Sequence, residues 1–358
     1  MALPSYLFIM RNKNDPKPNP KRLLYLGNKL SRKGKNTSTI EYLSSQFESD
    51  GYKVVSASSQ TNPVLRLLVM LGQVIIQASK TDVLLIDTYS TSAFWFAYIS
   101  SRLAFFLKLD YIPILHGGDL PKRLKSDPQL CQKLFGNAKV NVAPSAYLLH
   151  EFKNAGYTNL TYIPNTIKLD LYTFKKRQEL QPHLLWVRSF AHLYNPLLAL
   201  QVLKELRFTY PKVKLSMVGP FKDDSIEECK AFAKEHKLPV TFTGGMKKED
   251  WLQYAQDFDV FINTTNVDNT PVSVIEAMAL GLPVVSTNVG GLPYLLDHEK
   301  EALLVSPGHV DEFTQAIIRL LDDPSLAQQL SLQGRKKVEH FDWEVVKHQW
   351  FEVVSREL

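Results

Sequence analysis

The sequence predicts two α/β domains in succession, each a doubly wound parallel sheet, with a cleft between them. Three observations carry that expectation. The 358 residues exceed the ~250–300 at which single hydrophobic cores stop growing. Short apolar runs alternate with helix-length amphipathic segments, the signature of parallel βαβ units. The alternation stops once, over residues 166–182, and then restarts. A hydrophobic content of 45% beside 22% charged residues is that of a globular chain able to fill both cores.

Taken in order, the first-half strands are LLYLG, YKVVSAS, DVLLIDT, YIPILH, VNVAPS and LTYIPN. A helix is expected from Ser145 to Gly156. The apolar run Ala93 to Leu107 reads as a buried helix, since Arg102 breaks it and it is too short to span a bilayer. Val64 to Gln77, rich in Leu, Val and Ile, reads as a core helix, with apolar contact to a membrane as the alternative. The polar, charged segment 166–182 is the expected linker between a first domain, 1–165, and a second, 183–340. In the second, HLLWVRS, VKLSMVG, VTFTGG, DVFINTT and LPVVSTN read as strands, and Pro196 to Phe208 as a helix. Helices are expected near 309–321, 324–338 and 343–356. The last, within 341–358, is expected to pack back towards the first domain. Ligands of such sheets bind outside the carboxyl ends of the strands.

Charge is unevenly spread. Residues 1–165 carry about 20 Lys+Arg and about 10 Asp+Glu, and the remainder about 22 and about 26. The first part is therefore near +10 and the second near −4. Composition alone leaves nucleic acid, an anionic membrane surface and a phosphate-bearing acceptor open as partners. The two cysteines, Cys131 and Cys229, match no metal spacing and fit a reducing, cytoplasmic setting. The opening MALPSYLFIM has neither a basic region nor a cleavage site, so no secretory signal is expected.

The window DNTPVSVIEAMALGLPVVSTNVGGLP is the most informative. Between Asp268 and Asp297 its only charged residue is Glu276. The neighbours are apolar, so this is a buried helix whose carboxylate must be paired, hydrogen-bonded or set in a cleft. Thr270 is placed to cap the helix and Pro271 to open it. Its N-terminus is then a natural anion site. The VGGLP turn has two glycines that would let backbone approach a phosphate, or simply make a turn.

These residues resemble the large retaining glycosyltransferase family 4, of the GT-B fold with two Rossmann-like domains. The family carries Glu-x7-Glu followed by EAMA-x-GxPVV and a Gly-Gly-x-Pro turn. Asp268 stands at the first acidic position. VNVAPSAYLLHEF, YIPNTI, LLWVRS, LSMVGP, VTFTGG, ILHGGDL and FDWEVV resemble other family segments, in the family's order.

The resemblance implies roles. Glu276 would hold the ribose hydroxyls of the nucleotide, and Asp268 would sit near the donor sugar. The backbone from Asn269 through Thr270, Pro271 and Val272 to Ser273 would face sugar and phosphate. Arg188 would neutralise the diphosphate, a role that suits a fork-shaped permanent cation. His116, beside Gly117 and Gly118 at a strand end, would lie by the donor sugar. Gly27, Gly219 and Gly244 would line the donor site. Lys29, Arg32, Lys33 and Lys35 would form the acceptor or membrane side. The family's Lys after the Arg is absent, Leu193, Tyr194 and Asn195 standing there, with Lys222 as the candidate substitute. Asp257-Phe258-Asp259 matches a metal motif of the other glycosyltransferase fold but reads as a structural junction.

The expectation is thus a hexosyl transferase needing no cofactor and no metal. It would take a nucleotide-sugar donor and a glycan or lipid-linked acceptor, in surface polysaccharide synthesis. It would be cytoplasmic, peripheral on the inner face of an anionic membrane, with no nucleic-acid partner. A sugar-nucleotide epimerase, a phosphorylase and a non-catalytic sugar-nucleotide-binding protein are the alternatives.

Overall fold

The computed structural model describes residues 21–29 and 38–355. One sheet contains β1 (Arg22–Leu26), β2 (Lys53–Ala57), β3 (Val83–Thr88), β4 (Tyr111–Leu115), β5 (Asn141–Ala143) and β6 (Leu160–Tyr162). Its helices are α1 (Thr39–Ser49), α2 (Pro63–Gln77), α3 (Phe94–Phe106), α4 (Leu120–Ser126), α5 (Pro128–Cys131) and α6 (Ala146–Asn154). A second sheet contains β7 (His183–Val187), β8 (Lys214–Val218), β9 (Val240–Gly244), β10 (Val260–Asn263), β11 (Val284–Thr287) and β12 (Ala302–Val305). Its helices are α7 (Pro196–Thr209), α8 (Ser225–Glu235), α9 (Lys248–Tyr254), α10 (Val272–Ala279) and α11 (Leu292–Leu295). Then follow α12 (Val310–Asp322), α13 (Pro324–Val338) and α14 (Trp343–Ser355).

The strand orders are β2-β1-β3-β4-β5-β6 and β12-β11-β10-β7-β8-β9. All pairings are parallel. Interior strands β3 and β4 are buried at every position, because helices cover both faces. Edge strand β2 alternates. Order reverses between β1 and β3, and again between β7 and β10. Those are the two places where a doubly wound sheet opens a crevice for a ligand.

Each sheet carries a core on both faces. In the first, α2, α3 and α6 pack on one side. The other side takes α1 and, from the far end of the chain, α14, through Trp343, Val346, Trp350 and Val354. The chain crosses between the sheets twice, and the two crossings are tied together. Ile167 N–H donates to Phe341 O at 3.0 Å, and Trp343 N–H to Ile167 O at 3.1 Å.

Segment 166–182 is polar in sequence but anchored in space. Ile167, Tyr172 and Arg177 are buried. The Arg177 guanidinium donates to the carbonyls of Phe258 and Leu280 and pairs with Asp259 at 3.2 Å. Gln181 N–H bonds the other Asp259 oxygen at 3.0 Å. Asp259 is therefore engaged in structure, in line with the junction reading of Asp257-Phe258-Asp259.

Two sequence expectations are corrected, and one strand lies outside them. Val64–Gln77 is not a core helix: only Met70 and Val74 of α2 are buried. Ala93–Leu107 is buried on one face only, with Trp95, Phe105, Phe106 and Leu107 exposed. The periodicity of an all-apolar segment cannot reveal which face meets the sheet. Strand β12 was not read either, because its four residues follow the charged turn DHEKE.

Candidate active site

The carboxyl end of β7 delivers Arg188, whose N–H bonds Val218 O at 3.0 Å. Its guanidinium pairs with Asp268 and lies 4.1 Å from the Tyr194 ring centroid. Tyr194 stands in the stretch where the family's Lys is missing, and it stacks on the Arg instead of adding charge. Arg188 Nε is buried and has no hydrogen-bond partner. Burial pushes the Asp268 carboxyl up, while Arg188 and the Asn269 N–H pull it back. Lys222 follows β8 and its N–H bonds Phe190 O, two residues past Arg188, at 2.9 Å.

Helix α10 begins at Val272, with Pro271 at its cap position and no side-chain cap. This differs from the sequence expectation. Thr270 Oγ1 donates instead to Pro144 O of the first domain at 3.4 Å. The free N-terminus of α10 exposes its first N–H groups, and the buried Ser273 hydroxyl has no partner. Glu276 is buried on α10; it accepts from Tyr172 OH at 2.8 Å and pairs with Lys248.

Several of the glycines also lie close against neighbouring backbone or side chains. A Cβ on Gly290 would collide with Asp268 O, and one on Gly291 with Asn269 O. The VGGLP turn thus supports the 268–270 backbone from behind. Gly219 has φ near 155° and lies against the Arg188 carbonyl, so it supports that residue. Its N–H bonds Gly244 O at 2.8 Å. Gly27 lies against the Asp87 carboxylate, and Gly117 against Ser90 N.

Across the cleft, His116 follows β4 and bonds Thr88 O through its N–H at 2.9 Å. Its Nε2 is 2.8 Å from Asp87 Oδ1, which also accepts from Tyr25 OH at 2.7 Å. The Tyr89 ring stacks on the imidazole at 5.4 Å. A cavity at the ends of β1 and β3 is lined by Gly27, Met70, Asp87, Tyr89 and Phe96, among others. The two halves meet directly. A Cβ on Gly118 would lie 3.5 Å from the Asp268 carbonyl carbon, and the Ser145 hydroxyl bonds Asn269. His116, Gly118, Asp268 and Asn269 thus belong to one neighbourhood.

Lys29 Nζ donates to Ser56 Oγ at 2.8 Å, so its side chain turns towards β2. Arg32, Lys33 and Lys35 lie outside the described residues. Sequence reading missed Asp87, Tyr172 and Lys248. Asp87 had a signal, an acid at the end of a buried strand; the others had none. Among the described residues, one group has metal-capable spacing: the exposed His192, Asp223 and Asp224, after β7 and β8.

Two parallel sheets facing each other across such a cleft define the GT-B fold. Residues 173–337 match the family described as Glycosyl transferases group 1, which supports a glycosyltransferase resemblance over the second domain. The chain is 29% identical over 150 residues to the sulfoquinovosyl transferase of Arabidopsis thaliana, covering 40% of this chain and 28% of that protein. It is 32% identical over 119 residues to an MMP alpha-(1->4)-mannosyltransferase of Mycolicibacterium hassiacum, covering 33% and 29%. The matched stretch is thus under a third of each of these relatives. Among solved structures, the sucrose-phosphate synthase of Thermosynechococcus elongatus superposes with TM-score 0.77 at 18% identity, covering 93% of this chain and 98% of that one. HepE of Anabaena in complex with UDP and glucose superposes with TM-score 0.75 at 17% identity, covering 94% and 99%.

Proposed function

We propose that the chain moves a hexosyl group from a nucleoside-diphosphate sugar to a hydroxyl of a glycan or lipid-linked acceptor. The configuration at the anomeric carbon is retained and no metal takes part. The observation that carries this reading is the buried Arg188 Nε without an acceptor. Native structures satisfy almost all such donors, and a diphosphate supplies the missing oxygen. The unpartnered Ser273 hydroxyl at the α10 N-terminus supports the same ligand. So does the UDP held by the HepE structure, a protein of like fold.

In this reading the bond from the anomeric carbon to the diphosphate breaks and a new bond to the acceptor oxygen forms. The acceptor proton passes to the departing phosphate. Arg188 and the α10 N-terminus stabilise the charge that develops there. Glu276 exchanges its present partners for ribose hydroxyls. Asp268 and His116 flank the donor sugar from opposite sides of the cleft. Surface polysaccharide assembly in the cytoplasm is the setting we assign.

A thermal-shift panel of nucleotide sugars tests the reading. The true donor at about 100 times its Kd adds roughly 2.7 kcal/mol of stability, and Arg188→Ala removes that gain. Turnover with a matched acceptor persists in EDTA. Complete loss on chelation, restored by manganese, would overturn the metal-free reading and point to His192, Asp223 and Asp224. A donor altered without acceptor would identify an epimerase, and dependence on inorganic phosphate a phosphorylase. Donor binding without turnover would leave a binding protein.

A further inference from the structure

We propose that the outer face of α2, with the C-terminal end of α3, docks on an anionic lipid surface. Helix α2 has two apolar sides. Met70 and Val74 face the core of the first sheet. On the other side Val64, Leu65, Leu68, Val69, Ile75 and Ile76 are 38 to 66% exposed. At 100° per residue these six fall within one stripe about 140° wide. Gly72 lies in its middle, and a Cβ there would meet nothing within 4 Å. Nothing in the chain's described residues packs over this stripe.

Helix α3 packs beside α2 in the same core, through Phe94, Ala97 and Ala104. Its end adds exposed Phe105, Phe106 and Leu107, and the Arg102 guanidinium sits over Phe105 at 4.7 Å. Aromatic and cationic side chains together are what a membrane interface favours.

Charge selects the occupant. From Gly51 to Thr81 there is no acidic residue, but Lys53, Arg66 and Lys80 are present. From Thr88 to Leu109 there is again none, but Arg102 and Lys108 are present. The flanking acids are engaged: Asp82 accepts from Arg22 N–H at 2.7 Å, and Asp110 pairs with Lys139 at 3.5 Å. A symmetric dimer through this face would set like charges against each other, because a two-fold interface pairs a patch with itself. An anionic lipid surface complements both the charge and the apolar stripe.

The segment Pro63–Lys80 is long and apolar enough to cross a bilayer by length and composition. Met70 and Val74 hold it in the core, so it lies in the interface plane instead. Its N-terminal end is at the cleft rim, where Arg66 bonds Asn28 at 2.9 Å. Docking therefore sets the first-domain side of the cleft beside lipid, whatever reaction the cleft performs.

Sedimentation with vesicles tests this on the full chain. The protein is expected to bind an equal mixture of phosphatidylglycerol and phosphatidylcholine and to bind phosphatidylcholine alone far less. Binding should fall as salt rises. Leu68→Gln with Ile75→Gln and Ile76→Gln, all exposed and so not expected to disturb folding, should weaken it at least about tenfold. Arg102→Gln with Lys108→Gln should weaken binding to the anionic mixture only. Equal binding of the triple variant and the parent would overturn the proposal, as would no binding to the mixture. A dimer in sedimentation velocity that the triple variant abolishes, without vesicle binding, would assign the face to a second copy.

Discussion

Glu276 keeps its place through Tyr172 OH and Lys248, and under the proposed function a nucleotide would take over part of that arrangement. Two substitutions separate its structural duty from its binding duty. Glu276→Gln keeps an oxygen for Tyr172 and should hold the fold. It should weaken donor binding by about 10- to 150-fold, the worth of a charge-assisted hydrogen bond. Glu276→Ala leaves a buried hydroxyl and an ammonium without their partner and should also cost about 1–3 kcal/mol of stability. Unchanged donor affinity of the Gln variant in calorimetric titration would remove Glu276 from the site. Asp87 makes the parallel case in the first domain. Asp87→Ala strands Tyr25 OH and His116 together and should cost at least about 2 kcal/mol in a urea melt. Asp87→Asn retains a carbonyl oxygen and should cost less; equal losses would mean that a neutral carbonyl cannot replace the carboxylate in these bonds. Glu276 was legible in the sequence because it is the lone charge in an apolar helix. Tyr172 was not, because it stands 104 residues away in a stretch that reads as a tether.

At the level of elements, the turns were legible and the backbone they lie against was not. A glycine pair after a strand is compatible with a ligand or with neighbouring backbone, and only the fold decides. The fold shows the backbone approach at Gly219 and Gly290, which lie against the carbonyls of Arg188 and Asp268. Gly219→Ala should displace the end of β7 and reduce donor affinity together with stability. Gly72→Ala is the contrasting change. It lies within α2, adds a methyl group into open space, and should stabilise the protein by about 0.5–1 kcal/mol by restricting the unfolded chain. Thermal melts of the two variants should move in opposite directions, and a loss in both would mean that α2 is packed more tightly than its exposure indicates. The same helix marks the limit of pattern reading. Strand and helix positions followed from length and period, whereas the partner of an all-apolar face depends on topology. Sheet order puts α2 over the β2 edge of the first sheet, where too little core exists to cover both its sides.

At the scale of the molecule, the chain closes on itself. Helix α14 follows the second domain yet fills the core of the first. Trp343 and Trp350 pack edge-on against Phe47 at 5.6 and 5.9 Å, and Trp343 Nε1 donates to Asp50 at 2.7 Å. The stability of the first sheet therefore depends on residues that follow the second domain in sequence. Any movement between the domains would have to bend both crossings together, since they are hydrogen-bonded side by side at Ile167 and Asp342. Trp350→Ala is the direct test. Removing a buried Trp costs about 3–5 kcal/mol, and here the loss should fall on the domain that does not contain the residue in sequence. Hydrogen exchange should show lost protection in β1, α1 and β2, with β7, β8 and β10 unchanged. The two-state assumption fails for a chain of two domains, so this segment-by-segment readout is more telling than a single melting temperature. Nucleotide affinity should survive, because Arg188, Ser273 and Glu276 all sit on the other sheet. Uniform loss of protection in both sheets would mean that the cleft contacts at Asn269 and Gly118 couple the domains into one cooperative unit. No loss in β1 would mean that α14 packs on the first domain without stabilising it.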